Sequence, residues 1–175
     1  MIVKFLRENK IASYLLLVLR FYIGYEWMKA GLEKLTGQFE ANGFLIGAIK
    51  KATGENPAVQ HWWASFLNGV ALPNAGIFNF LIPWGEFLVG LGLILGGLTT
   101  FAALMGAVMN FAYMLSGTTS TNPQMVLLTM FILVAGANAG KLGLDYYLRQ
   151  ILTYEKLAHK FHTNNHHHPH LGGHV

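Results

Sequence analysis

Two side chains of opposite charge stand deep inside long apolar runs. Arg20 lies within IASYLLLVLRFYIGYEWMKAGL, and Glu86 is the one Asp, Glu, Lys or Arg between Asn56 and Gly140. A charge at mid-helix in hydrocarbon costs roughly 2.5–3.5 kcal/mol on insertion scales, so such residues face a bundle interior and mark a pathway or a site. Arg20 is ten residues beyond Lys10, about 15 Å along a helix. Glu86 is twelve residues before Leu98, about 18 Å from the same face. These depths predict a buried Arg20–Glu86 ion pair near mid-bilayer. It could hold a polar head group or exchange a proton. The competing reading is a pair that only fixes helix register. Asn110, twelve residues past Leu98, reaches the same depth and extends the cluster, although packing is the commoner role for a lone interhelical Asn.

Near the outer end of the first apolar run, Glu26 and Lys29 stand three apart on one helix face. They can pair with each other, or Lys29 can snorkel into the headgroup layer while Glu26 lines an entrance. Trp84, with Trp27, Trp62 and Trp63, could sandwich a planar ring, although interfacial belts account for Trp at membrane edges without a ligand. The histidines offer no site within the apolar runs, since seven of the eight fall between His159 and His174. A bis-imidazole haem in the membrane therefore has no ligands. Met105 and Met109 read as packing. With no Cys, a thiol nucleophile and a Cys-ligated iron–sulfur cluster are excluded. No signature for flavin is present either.

The elements that must position these groups follow from composition. The 175 residues are 53% hydrophobic and only 11% charged, with mean hydropathy +0.40. Soluble domains carry about 25% charged residues. No water-facing surface can be assembled from the 56–140 stretch, so a soluble enzyme is excluded and an integral membrane protein is expected. The fold class expected is all-α, a bundle of four transmembrane helices over residues 1–147. The spans fall at about 11–32, 76–98, 99–116 and 124–140, with a tight reversal around Gly96 to Thr100. The first run lacks a cleavage pattern and reads as a retained span. A long external loop, 33–72, carries one or two short amphipathic helices. Residues 148–175 form a His-rich tail, read as a disordered extension that binds metal only adventitiously. Gly92-x-x-x-Gly96 and Gly136-x-x-x-Gly140 read first as tight packing within the bundle, with a homo-oligomer face as their second use. Lys4, Arg7 and Lys10 at one end, and Lys141, Arg149, Lys156 and Lys160 at the other, place both termini in the cytoplasm. The net charge of +4 then serves orientation rather than nucleic-acid binding.

Three stretches resemble the DoxX family of small four-span membrane proteins. They are Leu19-Arg20 with Gly24 and Lys29-Ala30-Gly31-x-x-Lys34-Leu35; Glu86 with Gly90, Gly92, Leu95-Gly96-Gly97-Leu98-Thr99-Thr100 and Ala102-Ala103; and Gly140 with Leu144-Asp145. The resemblance covers about residues 11 to 147. It implies a prokaryotic cytoplasmic-membrane subunit of a quinone-linked oxidoreductase system, working with other membrane or redox subunits. Its matching polar positions are Arg20, Lys34, Glu86 and Asp145. Thr100 stands where the family often has a basic residue, which weakens any role for charge there. The 33–72 insertion would be a substrate-side cap. A non-catalytic assembly subunit is the second reading. A small proton-coupled transporter with Glu26 as coupling residue is the third.

Overall fold

A computed structural model describes residues 1–165, and all regular structure among them is helical. A short α1 (Ile2–Glu8) breaks at Asn9, whose extended backbone and side-chain oxygen cap the next helix by accepting from Ile11 N–H at 2.7 Å. Such an Asn cap satisfies one of the orphan N–H groups of a helix start. The long α2 (Lys10–Thr36) follows, then α3 (Ala41–Lys50) and α4 (His61–Phe66). From α4 the chain passes through one π turn and one 3-10 turn directly into α5 (Ala75–Leu95). The hairpin partner α6 (Thr99–Leu115) precedes α7 (Asn122–Ala135), a 3-10 segment (Gly136–Gly140) and α8 (Leu144–Asn165).

Two stretches, His61–Leu95 and Asn122–Gly140, are long and apolar enough to cross a membrane; α6 is apolar but shorter. The outward faces are apolar too. Val18, Leu88, Phe101, Leu104 and Leu127 are all exposed, an apolar exterior that suits lipid rather than water. The sequence expects an external loop at 33–72 carrying one or two short amphipathic helices, and α3 and α4 are such helices. They cover one end of the bundle, but the second half of the segment is not separate from the next span: it runs on helically into α5. Asn79 Oδ1 accepts from Ala41 N–H, Lys51 Nζ donates to the Gly117 carbonyl, and Trp63 Nε1 donates to Ser116 Oγ. Three long-range hydrogen bonds thus fasten this cap to α5 and to the α6–α7 turn.

The α2–α5 pair is the most extensive helix contact. Its glycines explain why. A Cβ at Gly31 would strike the Phe87 backbone, and one at Gly90 the Met28 backbone. Small residues let helix backbones approach this closely. The two small-residue motifs read from the sequence are used differently. Gly92 packs on Ala102 inside the α5–α6 hairpin, and Gly140 lies against Asp145. Gly96 is the left-handed C-cap of α5 at φ +65°, a conformation glycine adopts without steric cost. Gly90→Ala is therefore expected to destabilise the fold by about 1–3 kcal/mol, as overpacking does, and to lower the melting temperature in detergent. Gly43→Ala on α3, where a Cβ meets nothing, is its control.

The sequence reading of a disordered tail fails for residues 148–165, which continue α8. Its face of Tyr147, Leu148, Ile151 and Leu152 is exposed and apolar, with Arg149 off that face, the pattern of helices that lie in a membrane interface. Metal binding by residues 166–175 falls outside the described residues.

Candidate functional site

The predicted Arg20–Glu86 pair does not form. Each has partners of its own, at opposite ends of the bundle.

Arg20 is 1% exposed and acts on backbone. Its Nε donates to Leu93 O at 2.9 Å, Nη1 to Ala139 O at 2.7 Å, and Nη2 to Ile94 O at 3.4 Å and Leu142 O at 3.2 Å. Leu93 and Ile94 belong to the last turn of α5, whose carbonyls have no partner within the helix. A guanidinium there closes the helix end and complements its dipole. Asp145 does the converse for α6: Oδ1 accepts from Leu98 N–H at 2.7 Å and Oδ2 from Thr99 N–H at 2.9 Å, while its own N–H donates to Gly96 O. Leu98 sits at φ +50°, a strained conformation for a side chain with a Cβ. The carboxylate holds that turn. Arg20 and Asp145 thus cap the α5–α6 reversal and dock the start of α8 beneath it. Neither lines the cavity beside Glu86. Asp145→Ala is expected to cost about 1–2 kcal/mol, the loss of a good N-cap, seen as a lower melting temperature.

Helix rise counted from Lys10 assumes that Lys10 is level with the α5–α6 turn. In the structure that turn is level with Arg20, because Gly96 lies directly against the guanidinium. The first turns of α2 project beyond the hairpin and are covered by α1. There Asn138 Nδ2 donates to Leu6 O and Asn9 O. Arg20 therefore marks the end of the hairpin, not its middle.

Glu86 is also 1% exposed, and its partners are Lys34 and Tyr113. Lys34 Nζ contacts Oε2 at 2.8 Å, and Tyr113 Oη donates to Oε1 at 2.5 Å. Three helices supply the triad: α2, α5 and α6. Lys34 also lies 5.8 Å from the centre of the Phe39 ring, within cation–π range. The triad forms one wall of a cavity of about 300 Å³, to which Glu26, Trp27, Phe39 and Phe44 contribute. Ser120 and Thr121, on the exposed α6–α7 turn, form its polar rim. Trp27 Nε1 is buried and has no hydrogen-bond partner among the described residues. The indole nitrogen lies against Gly106 of α6.

The remaining expected residues divide. Glu26 lines the cavity and is half-buried, but it does not pair with Lys29, which instead approaches Glu33 at 4.0 Å. Asn110 is fully buried on α6 with both amide atoms unpartnered; it bonds neither Arg20 nor Glu86. Trp84 is largely exposed, packs on Phe80 and Phe87, and does not line the triad cavity. Tyr113 was missed. It stands three residues beyond Asn110 on the buried face of α6, but a Tyr near a helix end reads as an interface anchor.

Chemically, the triad offers a fixed proton acceptor, Glu86, between two donors. Lys34 has three N–H bonds, of which one is used on Glu86. The ammonium is partly open to the cavity, and the aromatic walls suit a planar ring.

A family model described as DoxX matches residues 15–119. No curated protein and no solved structure matches the chain. The matched segment holds Arg20, Lys34, Glu86 and Tyr113 and spans more than half of the 175 residues, and on that match the chain belongs to the DoxX family.

Proposed function

We propose that this protein is a membrane-integral subunit of a quinone-linked oxidoreductase system, and that its head-group site is the Lys34–Glu86–Tyr113 cavity. In this reading α2, α5, α6 and α7 with its 3-10 extension cross the plasma membrane of a prokaryote. The 27 residues of α2 and 21 of α5 reach about 40 and 31 Å, against a hydrocarbon core of about 30 Å. The 17 residues of α6 reach about 26 Å, which a local thinning of the bilayer accommodates. Lys4, Arg7, Lys10, Lys141 and Arg149 gather at the Arg20 end. At the other end Lys34, Lys50 and Lys51 are offset by Glu33, Glu40 and Glu55. That asymmetry supports cytoplasmic termini and, with them, a triad towards the outer leaflet.

The observation that carries the proposal is a buried carboxylate, ion-paired and hydrogen-bonded, on a cavity walled by aromatic rings. The volume lies at the lower bound for small-molecule sites, enough for a single substituted ring. Lys34 Nζ can donate to a ring oxygen. Phe39 and Phe44 can flank the ring. Glu86 can pass a proton while Tyr113 and Lys34 stabilise its charged form. A bound quinone would supply the two-electron chemistry, with the electrons coming from another subunit. Purification in mild detergent, followed by extraction of bound lipids, tests this. A quinone retained at near-stoichiometric amount is expected, and it should be lost in Glu86→Gln. A colourless, quinone-free preparation that reduces no quinone analogue would leave the assembly-subunit reading in its place.

A further inference from the structure

A second cavity, of about 240 Å³, lies beside the first, between the cap helices and the faces of α5 and α6. Phe44, Ile82 and Tyr113 line both, so the partition between them is one side chain thick. Phe44 and Tyr113 meet edge to face there, with ring centres 5.9 Å apart. The two spaces differ sharply in chemistry. In the second, the polar groups are Ser116, Trp63 and Tyr113, and all are already used. Ser116 Oγ accepts from Trp63 Nε1 and donates to Ala112 O, and the Tyr113 hydroxyl is turned to Glu86. What remains is hydrocarbon surface. The outer rim of this slot consists of Phe66, Leu81 and Val108, all exposed on the apolar exterior. It therefore opens sideways, towards the bilayer.

We infer that the slot holds the proximal part of an apolar chain attached to the ring in the triad cavity, so that the ligand is an amphiphile reaching the site laterally from the membrane. This rests on the head-site reading above and adds the chain's route to it. The triad cavity has one open, polar boundary and a second, apolar one that a turn of the Phe44 ring away from Tyr113 would open. One is the polar rim at Ser120 and Thr121, which faces water or headgroups. The other is the thin partition. A hydrocarbon chain takes the second. At roughly 30 Å³ per water-sized group, the slot takes about eight carbon atoms, beyond which the chain is among lipid. A chain gains little by moving from lipid into the slot, since both are apolar. The slot matters because it lets the ring seat with its chain attached.

That distinction sets the experiment. The full chain in phosphatidylcholine nanodiscs is titrated with 2,3-dimethoxy-5-methyl-1,4-benzoquinone and with its 6-decyl derivative, binding being read from tryptophan quenching. Val108→Phe fills the slot at its mouth. It is expected to weaken the decyl compound by about tenfold, the order of an overpacking clash, and to leave the chain-free compound within about twofold of the parent protein. Ala112→Leu, a turn further along the same wall, should act in the same direction, and a melting curve for each variant identifies one that misfolds. Equal effects of Val108→Phe on both compounds, or none on either, would overturn the slot while leaving the head site standing. Failure of the parent protein to bind either compound, or unchanged binding of both by Glu86→Gln, would instead remove the head site itself.

Discussion

Arg20→Leu is expected to be the most destabilising single substitution in this fold, at about 4 kcal/mol or more. Four main-chain carbonyls, on Leu93, Ile94, Ala139 and Leu142, lose their donor at once. Each buried carbonyl left unpaired costs about 1–3 kcal/mol. Arg20→Lys restores the charge but not the fork, because an ammonium cannot reach four oxygens in that plane; it should recover less than half of the loss. A paired Arg20–Glu86 would behave otherwise. It would be rescued by neutralising Glu86, whereas two separate sites predict that Arg20→Leu and Glu86→Gln add to within about 0.5 kcal/mol. Thermal or denaturant melting of the four proteins in one detergent decides between them.

Lys34→Met carries the second large effect. It leaves the carboxylate of Glu86 buried with Tyr113 as its remaining partner, and removing one member of a buried ion pair costs about 3–5 kcal/mol. Because the Lys34 side chain is 27% exposed, water relieves part of that cost, and about 2–3 kcal/mol is expected. Glu86→Gln in the same chain should restore most of the stability, since it removes the charge that was stranded. It should not restore ligand binding. Stability and binding therefore separate in the double variant, which a purely structural ion pair would not predict.

The sequence disclosed the helical class, the reversal near Gly96 and the importance of Arg20 and Glu86 as charges that must face inward. It did not disclose whom they meet. Partner choice depends on the axial register of α2 against α5, fixed by backbone contacts at Gly31 and Gly90 that no single-helix pattern displays. One signal was available. Lys34 is fourteen residues beyond Arg20, four helical turns at 3.6 residues per turn, so the two share the buried stripe that includes Trp27 and Gly31. An inward-facing Lys at the far end of α2 requires an anion, and Glu86 is the one carboxylate within the α5–α6 hairpin. Tyr113 and the capping role of Asp145 were beyond reach for a different reason. Both depend on tertiary geometry, a hydroxyl aimed across a cavity and a carboxylate placed beneath a turn 46 residues away in sequence.

The most direct test of the triad as a ligand site is the affinity of a chain-free benzoquinone for the parent protein, Glu86→Gln and Tyr113→Phe in nanodiscs, each variant first checked for cooperative melting. The account predicts that both folded variants bind at least about tenfold more weakly, a loss of about 1.4 kcal/mol or more. Folded variants that bind as tightly as the parent would contradict it.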